Sequence, residues 1–247
     1  MSESVKHGFR LLRSKEFPEY QATAHLYVHE KHGCQFLDME TKDTNNTFST
    51  TVRSICYDDS GSTHILEHMV LHGSKKYPIN DVINELEKRS MSNYMNAETF
   101  FDWTQYLFST ENETDFHNIL DVYLDAIFNP DFLENNFLVE CHHLEPENPE
   151  DINSPLKHCG IVYNEMSGVL TNGDELYGEK LRAALLPDTP YKHIFGGHPP
   201  EIAKMTLDEL KLQHKRYYAS SNALIFHYGS FSVDKIFEHI NTFLDKI

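Results

Sequence analysis

The sequence lacks any run of about 18 apolar residues, the length that a helix needs to cross a bilayer. Residues 1–13 also lack the apolar core of a signal peptide and the long, acid-free, Arg- and Ser-rich stretch of a transit peptide. We therefore expect a soluble intracellular chain that does not insert into membranes. Two matches to the glycosylation pattern, at Asn45 and Asn112, are interpreted as chance because no secretory signal accompanies them.

Cysteine is scarce and widely spaced. The four cysteines lie far apart in sequence, at Cys34, Cys56, Cys141 and Cys159. A zinc knuckle built from cysteines alone needs closely spaced pairs, and disulfide frameworks are typical of much shorter secreted chains. The pattern argues against both and favours a reducing compartment.

Basic residues are also few, with 21 Lys and Arg against 38 Asp and Glu and a net charge of -17. Nucleic acids and anionic membrane surfaces bind positively charged surfaces, so neither is an expected partner. A negative surface favours the capture of basic peptides, but an acidic balance also keeps many proteins soluble. Charge by itself leaves both interpretations open.

The sequence does contain enough apolar material for a core, since 40% of its 247 residues are apolar and 12% are aromatic. Strands are predicted at residues 22–28, 35–39, 48–56, 92–97, 103–108 and 223–228. One helix is predicted to be capped by Ser62 or Thr63 and to end near Gly73, and others are predicted at residues 80–88, 114–128, 133–143, 159–170, 175–185, 207–217 and 233–247. The first three strands are expected to form one antiparallel sheet, and the next two a hairpin. With no visible repeat or boundary, we expect one α+β domain over residues 1–247.

The run HILEH at residues 64–68 points to metal chemistry. Residues four apart lie on one face of a helix, so His64 and His68 can direct their imidazole nitrogens at one cation. Zn²⁺ suits imidazole, and a catalytic zinc keeps one position for a water whose pKa it lowers. A neighbouring carboxylate can take the proton of that water and pass it to the leaving amine, so Glu67 is the predicted general base. A solvated helix face is the alternative for an isolated motif, but the apolar residues around it indicate a mostly buried helix.

A catalytic zinc normally takes three protein ligands, and the two histidines supply only two. Glu165 is the predicted third ligand, because it lies among apolar neighbours on the helix predicted at 159–170, where a buried carboxylate would need a cation or a donor. No local geometry connects Glu165 to the HILEH run, so the fold must bring the two helices together.

Other histidines offer a weaker alternative. His142, His143 and Cys159 include enough ligand types for an additional metal site, but we favour their being ordinary core or surface residues. His72 follows the metal helix closely and is expected to contact a ligand rather than the metal.

These segments resemble the pitrilysin-type metallopeptidases, and most closely their presequence protease branch. The likeness extends over nearly the whole chain and is carried by HILEH at 64–68, GSKKYP at 73–78, MNA at 95–97, DWT at 102–104, FST at 108–110, DVYLDA at 121–126, NEM at 164–166, GG at 196–197, YY at 217–218 and SNA at 221–223. It implies an antiparallel or mixed sheet with helices packed on one face. It also implies a zinc endopeptidase that degrades unstructured, often basic peptides, such as cleaved presequences, inside a closed chamber.

In that resemblance, His64, His68 and Glu165 would bind one Zn²⁺ ion and Glu67 would be the general base. The hairpin at Asn96 and Ala97 would offer an edge to which the substrate adds as a strand, with main-chain bonds that need no strong sequence preference.

The residues around that hairpin also have simpler interpretations. Asn96 is alternatively an ordinary turn residue. Trp103, Tyr106 and Phe108 are expected in the core rather than in contact with substrate.

Enzymes of this branch have four such domains in two halves, and the second half closes over the zinc and contributes an Arg and a Tyr. Residues 1–247 correspond to the first domain, so we expect a C-terminal half or a partner subunit to complete the chamber. The alternative is a truncated or noncatalytic peptide-binding subunit that needs a partner half for activity. Resemblance implies a mitochondrial location, and the absence of a visible presequence leaves a cytoplasmic one as the alternative.

Overall fold

The computed structural model of the chain describes residues 5–246. Its strands are β1 (Phe9–Phe17), β2 (Ala22–His29), β3 (Gln35–Glu40), β4 (Asn46–Val52), β5 (Ser92–Thr99), β6 (Thr104–Thr110), β7 (His143–Pro146), β8 (Leu156–Cys159) and β9 (Ala223–Gly229). Its helices are α1 (Ser62–Val70), α2 (Val82–Arg89), α3 (Glu113–Phe128), α4 (Glu134–Glu140), α5 (Ile161–Val169), α6 (Gly173–Leu185), α7 (Pro199–Ile202), α8 (Leu207–Tyr217) and α9 (Val233–Leu244). Short 3₁₀ turns occur at Pro18–Tyr20, Pro190–Lys192 and Ser220–Asn222.

Seven strands form one mixed sheet in the order β1-β2-β3-β9-β4-β6-β5. Neighbouring strands are antiparallel except β3 and β9, which are parallel. The first three predicted strands do lie in one sheet, but the prediction that this sheet is antiparallel is wrong, because β9 lies between β3 and β4 and runs parallel to β3. The α+β fold class is confirmed, as is the β5–β6 hairpin. The order leaves β5 at one edge of the sheet.

The core lies between one face of this sheet and the helices. Phe36 and Phe48 are fully buried on that face. Phe237 of α9 contacts Phe36 with ring centroids 5.0 Å apart, and Phe116 of α3 contacts Phe48 at 6.0 Å. Burial of each such ring contributes about 1.5–3 kcal/mol. Strand residues that alternate with the core residues point to the opposite face and remain partly exposed.

Two predicted elements end earlier than expected, and others are missed. The strand predicted at 48–56 ends at Val52, and the helix predicted at 133–143 ends at Glu140. β1 and the small β7–β8 hairpin are not predicted, because nearly all their side chains are at least partly exposed and the apolar alternation is weak. The last predicted helix reaches residue 247, whereas α9 ends at Leu244; Ile247 lies outside the described residues.

Several expectations about burial can be compared with the structure. Tyr106 and Phe108 are fully buried, as predicted, but Trp103 is only half-buried, so its placement in the core is wrong. All four cysteines are buried free thiols. Between residues 5 and 246, no helix has the length and apolar character required to span a membrane. The extent of the domain stays a prediction.

Candidate metal centre

The HILEH run lies on α1, and the helix buries its apolar side. Ile65, Leu66 and Met69 are fully buried. Because these residues fix the rotation of the helix, His64 and His68 are left on the remaining face, one turn apart. Helix α1 contacts α4, α8 and the edge hairpin, so its polar face is set against fixed neighbours.

The start of α1 depends on close approach between glycines. The N-cap is Gly61, with φ 69°, rather than Ser62 or Thr63 as predicted, and no side chain caps the helix. A Cβ at Gly61 would lie 2.6 Å from the carbonyl oxygen of Gly196, so only glycine fits. This contact holds the backbone of residues 196–197 against the beginning of the metal helix.

The structure brings the three predicted ligands together. Nε2 of His64 lies 3.7 Å from Oε2 of Glu165, and Nε2 of His68 lies 3.9 Å from the same oxygen. One ligand atom from each residue falls within 4.8 Å of the others. Tetrahedral zinc with bonds of about 2.0–2.1 Å separates its ligand atoms by about 3.3 Å. The two His–Glu distances exceed this value by about 0.4 and 0.6 Å, so a small movement of the Glu165 carboxylate towards the histidines would bring these two pairs to the spacing that zinc requires.

Glu165 reaches this point because α5 begins against the end of α4. The N-cap of α5 is Gly160, with φ 149°, and a Cβ there would lie 2.3 Å from the carbonyl oxygen of Cys141. The side chain of Glu165 is 49% exposed, so the expectation that it needs a partner because of burial is wrong. Glu165 is a candidate ligand because it lies beside the two histidines, not because it is buried. Its role stays a prediction.

Hydrogen bonds fix the tautomers of both histidines. Nδ1 of His64 lies 3.1 Å from the carbonyl oxygen of Gly196, and Nδ1 of His68 lies 2.9 Å from Oε2 of Glu140. A carbonyl and a carboxylate can only accept, so each Nδ1 carries the hydrogen. Both Nε2 lone pairs are thereby free on the side facing Glu165, an arrangement typical of metal-binding histidines.

Glu140 is the residue of the site that sequence reasoning missed. Its side chain is 2% exposed, and it accepts hydrogen bonds from Nδ1 of His68 and, at 2.7 Å, from Nε2 of His72. Burial acts to raise the pKa of Glu140, but the hydrogen bonds and charges of the two histidines outweigh it and lower the pKa to about 2. The signal was present, because an acidic residue ends an otherwise apolar helical turn at Leu138 and Val139. His72 contacts Glu140 and lies outside the ligand group.

The site is strongly electronegative. Burial acts to lower the pKa of His68, but the hydrogen bond that its Nδ1–H donates to Glu140 and the charges of Glu67, Glu140 and Glu165 raise it overall. Three carboxylates around two imidazoles therefore attract positive charge, and a metal ion competes with protons for the histidine nitrogens.

The predicted base and the predicted substrate residues face one groove. Oε2 of Glu67 accepts a hydrogen bond of 2.5 Å from the hydroxyl of Thr99, the last residue of β5. Glu67, His68, Asn96 and Ala97 all line a groove of about 460 Å³. In the described part of the chain β5 is an edge strand with a partner strand on one side only, and its last residue is hydrogen-bonded to the predicted base.

The alternative metal site does not form. Nε2 of His142 donates to the carbonyl oxygen of Met205, and Nδ1 of His143 to that of Leu138. The thiol of Cys159 instead hydrogen-bonds a carboxylate. Each residue has a separate partner, and among residues 5–246 only His64, His68 and Glu165 form a group of three such side chains close enough to share one metal ion. The favoured interpretation, ordinary core or surface residues, agrees with this arrangement.

Residues 57–154, which include the HILEH run and Glu140, match the sequence model described as Insulinase (Peptidase family M16). The chain carries a peptidase family M16 domain. It is 44% identical over 232 residues to the mitochondrial presequence protease of Xenopus tropicalis, covering 94% of this chain and 22% of that protein. It is 42% identical to the mitochondrial presequence protease of Mus musculus, covering 92% and 22%. The chain thus spans about a fifth of the length of these curated relatives.

A solved structure shares the fold of this M16 domain. A protease from Helicobacter pylori superposes with a TM-score of 0.73 at 20% sequence identity, covering 88% of this chain and 49% of that one. At this identity the likeness concerns the fold alone. It agrees with the mixed sheet and its packed helices.

Proposed function

We propose that the chain is the zinc-binding part of a metalloendopeptidase that hydrolyses unstructured peptides. The observation that carries the proposal is the convergence of His64, His68 and Glu165, with both histidine tautomers set so that Nε2 faces the carboxylate. Two imidazoles and one carboxylate, with space left for a water, are typical of a catalytic rather than a structural zinc site. The match to a peptidase family supports the same chemistry.

Each residue of the site has a separate role in peptide hydrolysis. When bound, zinc would lower the pKa of a water and polarise the peptide carbonyl. Glu67 takes the proton of the attacking water at its carboxylate and later delivers it to the leaving amine. Thr99 holds that carboxylate through its hydroxyl, and Glu140 holds His68 by its Nδ1–H. The two supporting bonds limit the motion of base and ligand, which favours reaction from one geometry.

The substrate is proposed to bind as an added strand along β5, past Asn96 and Ala97. Edge pairing needs an extended backbone, so unstructured peptides are favoured over folded proteins. A net charge of -17 favours basic peptides. Because the relatives are named mitochondrial presequence proteases, we propose cleaved presequences as substrates and the mitochondrion as the location, with a cytoplasmic location as the alternative.

A further half of the enzyme is part of the proposal. The chain spans 22% of the relatives' length, and a chamber that excludes water needs a second wall over the groove. The wall would come from a C-terminal half or from a partner subunit. The same coverage favours a second candidate function, a noncatalytic subunit that binds peptides and depends on a partner for turnover.

Cleavage of a quenched fluorescent basic peptide, with zinc content measured on the same sample, tests these alternatives. Glu67→Gln keeps the shape of the base but cannot take a proton, so we expect it to retain zinc and lose turnover. Glu30→Gln is the matched control, because Glu30 is half-exposed at the opposite end of the sheet and pairs with Arg10. Zinc without turnover in the unmutated chain supports the subunit that needs a partner. A purified chain that cannot bind zinc would exclude the metal centre itself.

A further inference from the structure

Three aromatic rings are stacked beside the candidate site. Phe100 lies parallel to Trp103, with centroids 4.8 Å apart and planes at 13°, and parallel to Phe195 at 5.6 Å and 6°. Phe100 is 45% exposed, and Trp103 and Phe195 are half-buried. We name these three rings the aromatic platform. Exposed apolar clusters of this kind mark binding surfaces more often than isolated exposed residues do.

Contacts with neighbouring residues of the same chain hold the rings of the platform in place without a ligand. Phe101 packs edge-on against Phe195 at 4.8 Å, and the guanidinium of Arg182 lies 4.4 Å from the centre of the Phe101 ring. The amide of Phe100 donates to the carbonyl oxygen of Trp103 at 2.8 Å, which closes the turn between β5 and β6. A surface fixed in this way loses little conformational entropy on binding.

Two residues of the platform, Phe195 and Phe100, are next in the chain to residues that hydrogen-bond the metal centre. Phe195 precedes Gly196, whose carbonyl oxygen accepts from Nδ1 of the ligand His64. Phe100 follows Thr99, whose hydroxyl donates to the predicted base. A peptide that lies along the edge strand beside the base therefore leaves the strand at Phe100. The platform is continuous with the proposed peptide path.

The exposed part of the platform determines which kind of ligand side chain it binds. Phe100 stacks parallel to two neighbouring rings, which occupy part of its faces, and its ring edge, which carries partial positive charge, remains available. Cations bind the face of an aromatic ring and gain nothing at its edge. The face of another aromatic ring packs well against such an edge in a T-shaped arrangement.

We propose that the aromatic platform binds an aromatic side chain of the peptide whose backbone pairs with β5. The proposal rests on the proposed function for the position of the peptide backbone. It adds a preference that edge pairing cannot supply: an otherwise basic, unstructured peptide binds better when one aromatic residue falls on Phe100.

Trp103 is the single tryptophan of the chain, so intrinsic fluorescence reports directly on the platform. The protein to use is the full chain as Glu67→Gln, loaded with zinc, which prevents turnover. The probes are basic peptides of equal length in which one phenylalanine is moved along the sequence, compared with the same peptides carrying alanine or lysine there. We expect one register in which phenylalanine changes Trp103 emission and lowers Kd about tenfold, which corresponds to about 1.4 kcal/mol. Lysine at that position should bind no better than alanine.

Two substitutions test whether Phe100 causes the preference for phenylalanine. Phe100→Ala should abolish the tenfold advantage of phenylalanine while zinc content is unchanged, whereas Tyr20→Ala should keep it, because Tyr20 is 70% exposed far from β5. The peptide comparison needs no change in the platform, so it decides the matter even if Phe100→Ala does not fold. Equal Kd for phenylalanine and alanine in every register, or no binding at all, overturns the proposal.

The zinc and cleavage assays of the unmutated chain test the proposed function separately. Loss of cleavage with retained phenylalanine preference would leave the platform in place and make the chain a peptide-binding subunit. Cleavage without any aromatic preference would keep the peptidase and reject the platform.

Discussion

Glu140→Gln is the substitution that most directly tests how the metal centre is built. The carboxylate accepts one hydrogen bond from Nδ1 of His68 and one from Nε2 of His72. Glutamine has nearly the same shape but offers one acceptor oxygen and one NH₂ donor. At most one of the two imidazole N–H groups then keeps its acceptor, and that acceptor no longer carries a charge. The bond that sets the tautomer and orientation of His68 is therefore weakened or lost.

The substitution is expected to lower both the zinc affinity and the free energy of unfolding. Removal of a partner that orients a metal ligand typically weakens metal binding about 10–100-fold, or roughly 1.4–2.7 kcal/mol. In addition, the pKa of Glu140 is lowered from 4.5 to about 2, which corresponds to roughly 3 kcal/mol of folding stability. A lowered carboxyl pKa stabilises the fold above the unfolded value of 4.5, and this contribution is lost as the pH falls toward 2. The metal-free variant should therefore be less stable at pH 7 and less sensitive to pH between 4.5 and 2.

Zinc affinity measured by competition with a chelator, and urea unfolding in EDTA at pH 7 and pH 3, check both magnitudes. Glu30→Gln, the same change at a half-exposed carboxylate, is the control and should alter neither. If Glu140→Gln binds zinc within twofold of the unmutated chain, Glu140 does not orient His68 and the account of the site is wrong.

Three further outcomes are expected. Burial lowers the pKa of His117 and of His239, whose rings stack 5.6 Å apart. The unfolded chain therefore binds protons at a higher pH than the folded chain, so the free energy of unfolding should fall below about pH 6.5. Urea midpoints at pH 7.5 and 5.5 should show this fall, and it should be smaller in His117→Asn. Gly61→Ala should cost about 1–3 kcal/mol and weaken zinc binding, whereas Gly178→Ala, with open space around it on α6, should stabilise slightly; equal thermal shifts would contradict this. Burial raises the pKa of Cys34, Cys56 and Cys141 to about 12, so a thiol reagent at pH 8 should modify them only after unfolding; rapid reaction in the native protein would refute their burial.

Features that depend on local geometry could be predicted from the sequence. The four-residue spacing of His64 and His68 is enough to place both on one helical face beside Glu67, because the period of the helix is fixed. For the same reason the helix at 207–217 is predicted with its observed bounds, since its apolar period and its capping box at Thr206 are local. The motif series also indicated the α+β fold through family resemblance.

The tertiary structure alone decided which distant residues meet at the site. Glu140 lies 72 residues from His68, and the carbonyl of Gly196 lies 132 residues from His64. No periodicity spans such separations, so the pattern cannot say which carboxylate or carbonyl sets a tautomer. The insertion of β9 beside β3 likewise depends on long-range strand pairing. Trp103 was assigned to the core by residue type, but it lines a surface groove together with Arg53 and Asn222, which only the fold brings alongside it.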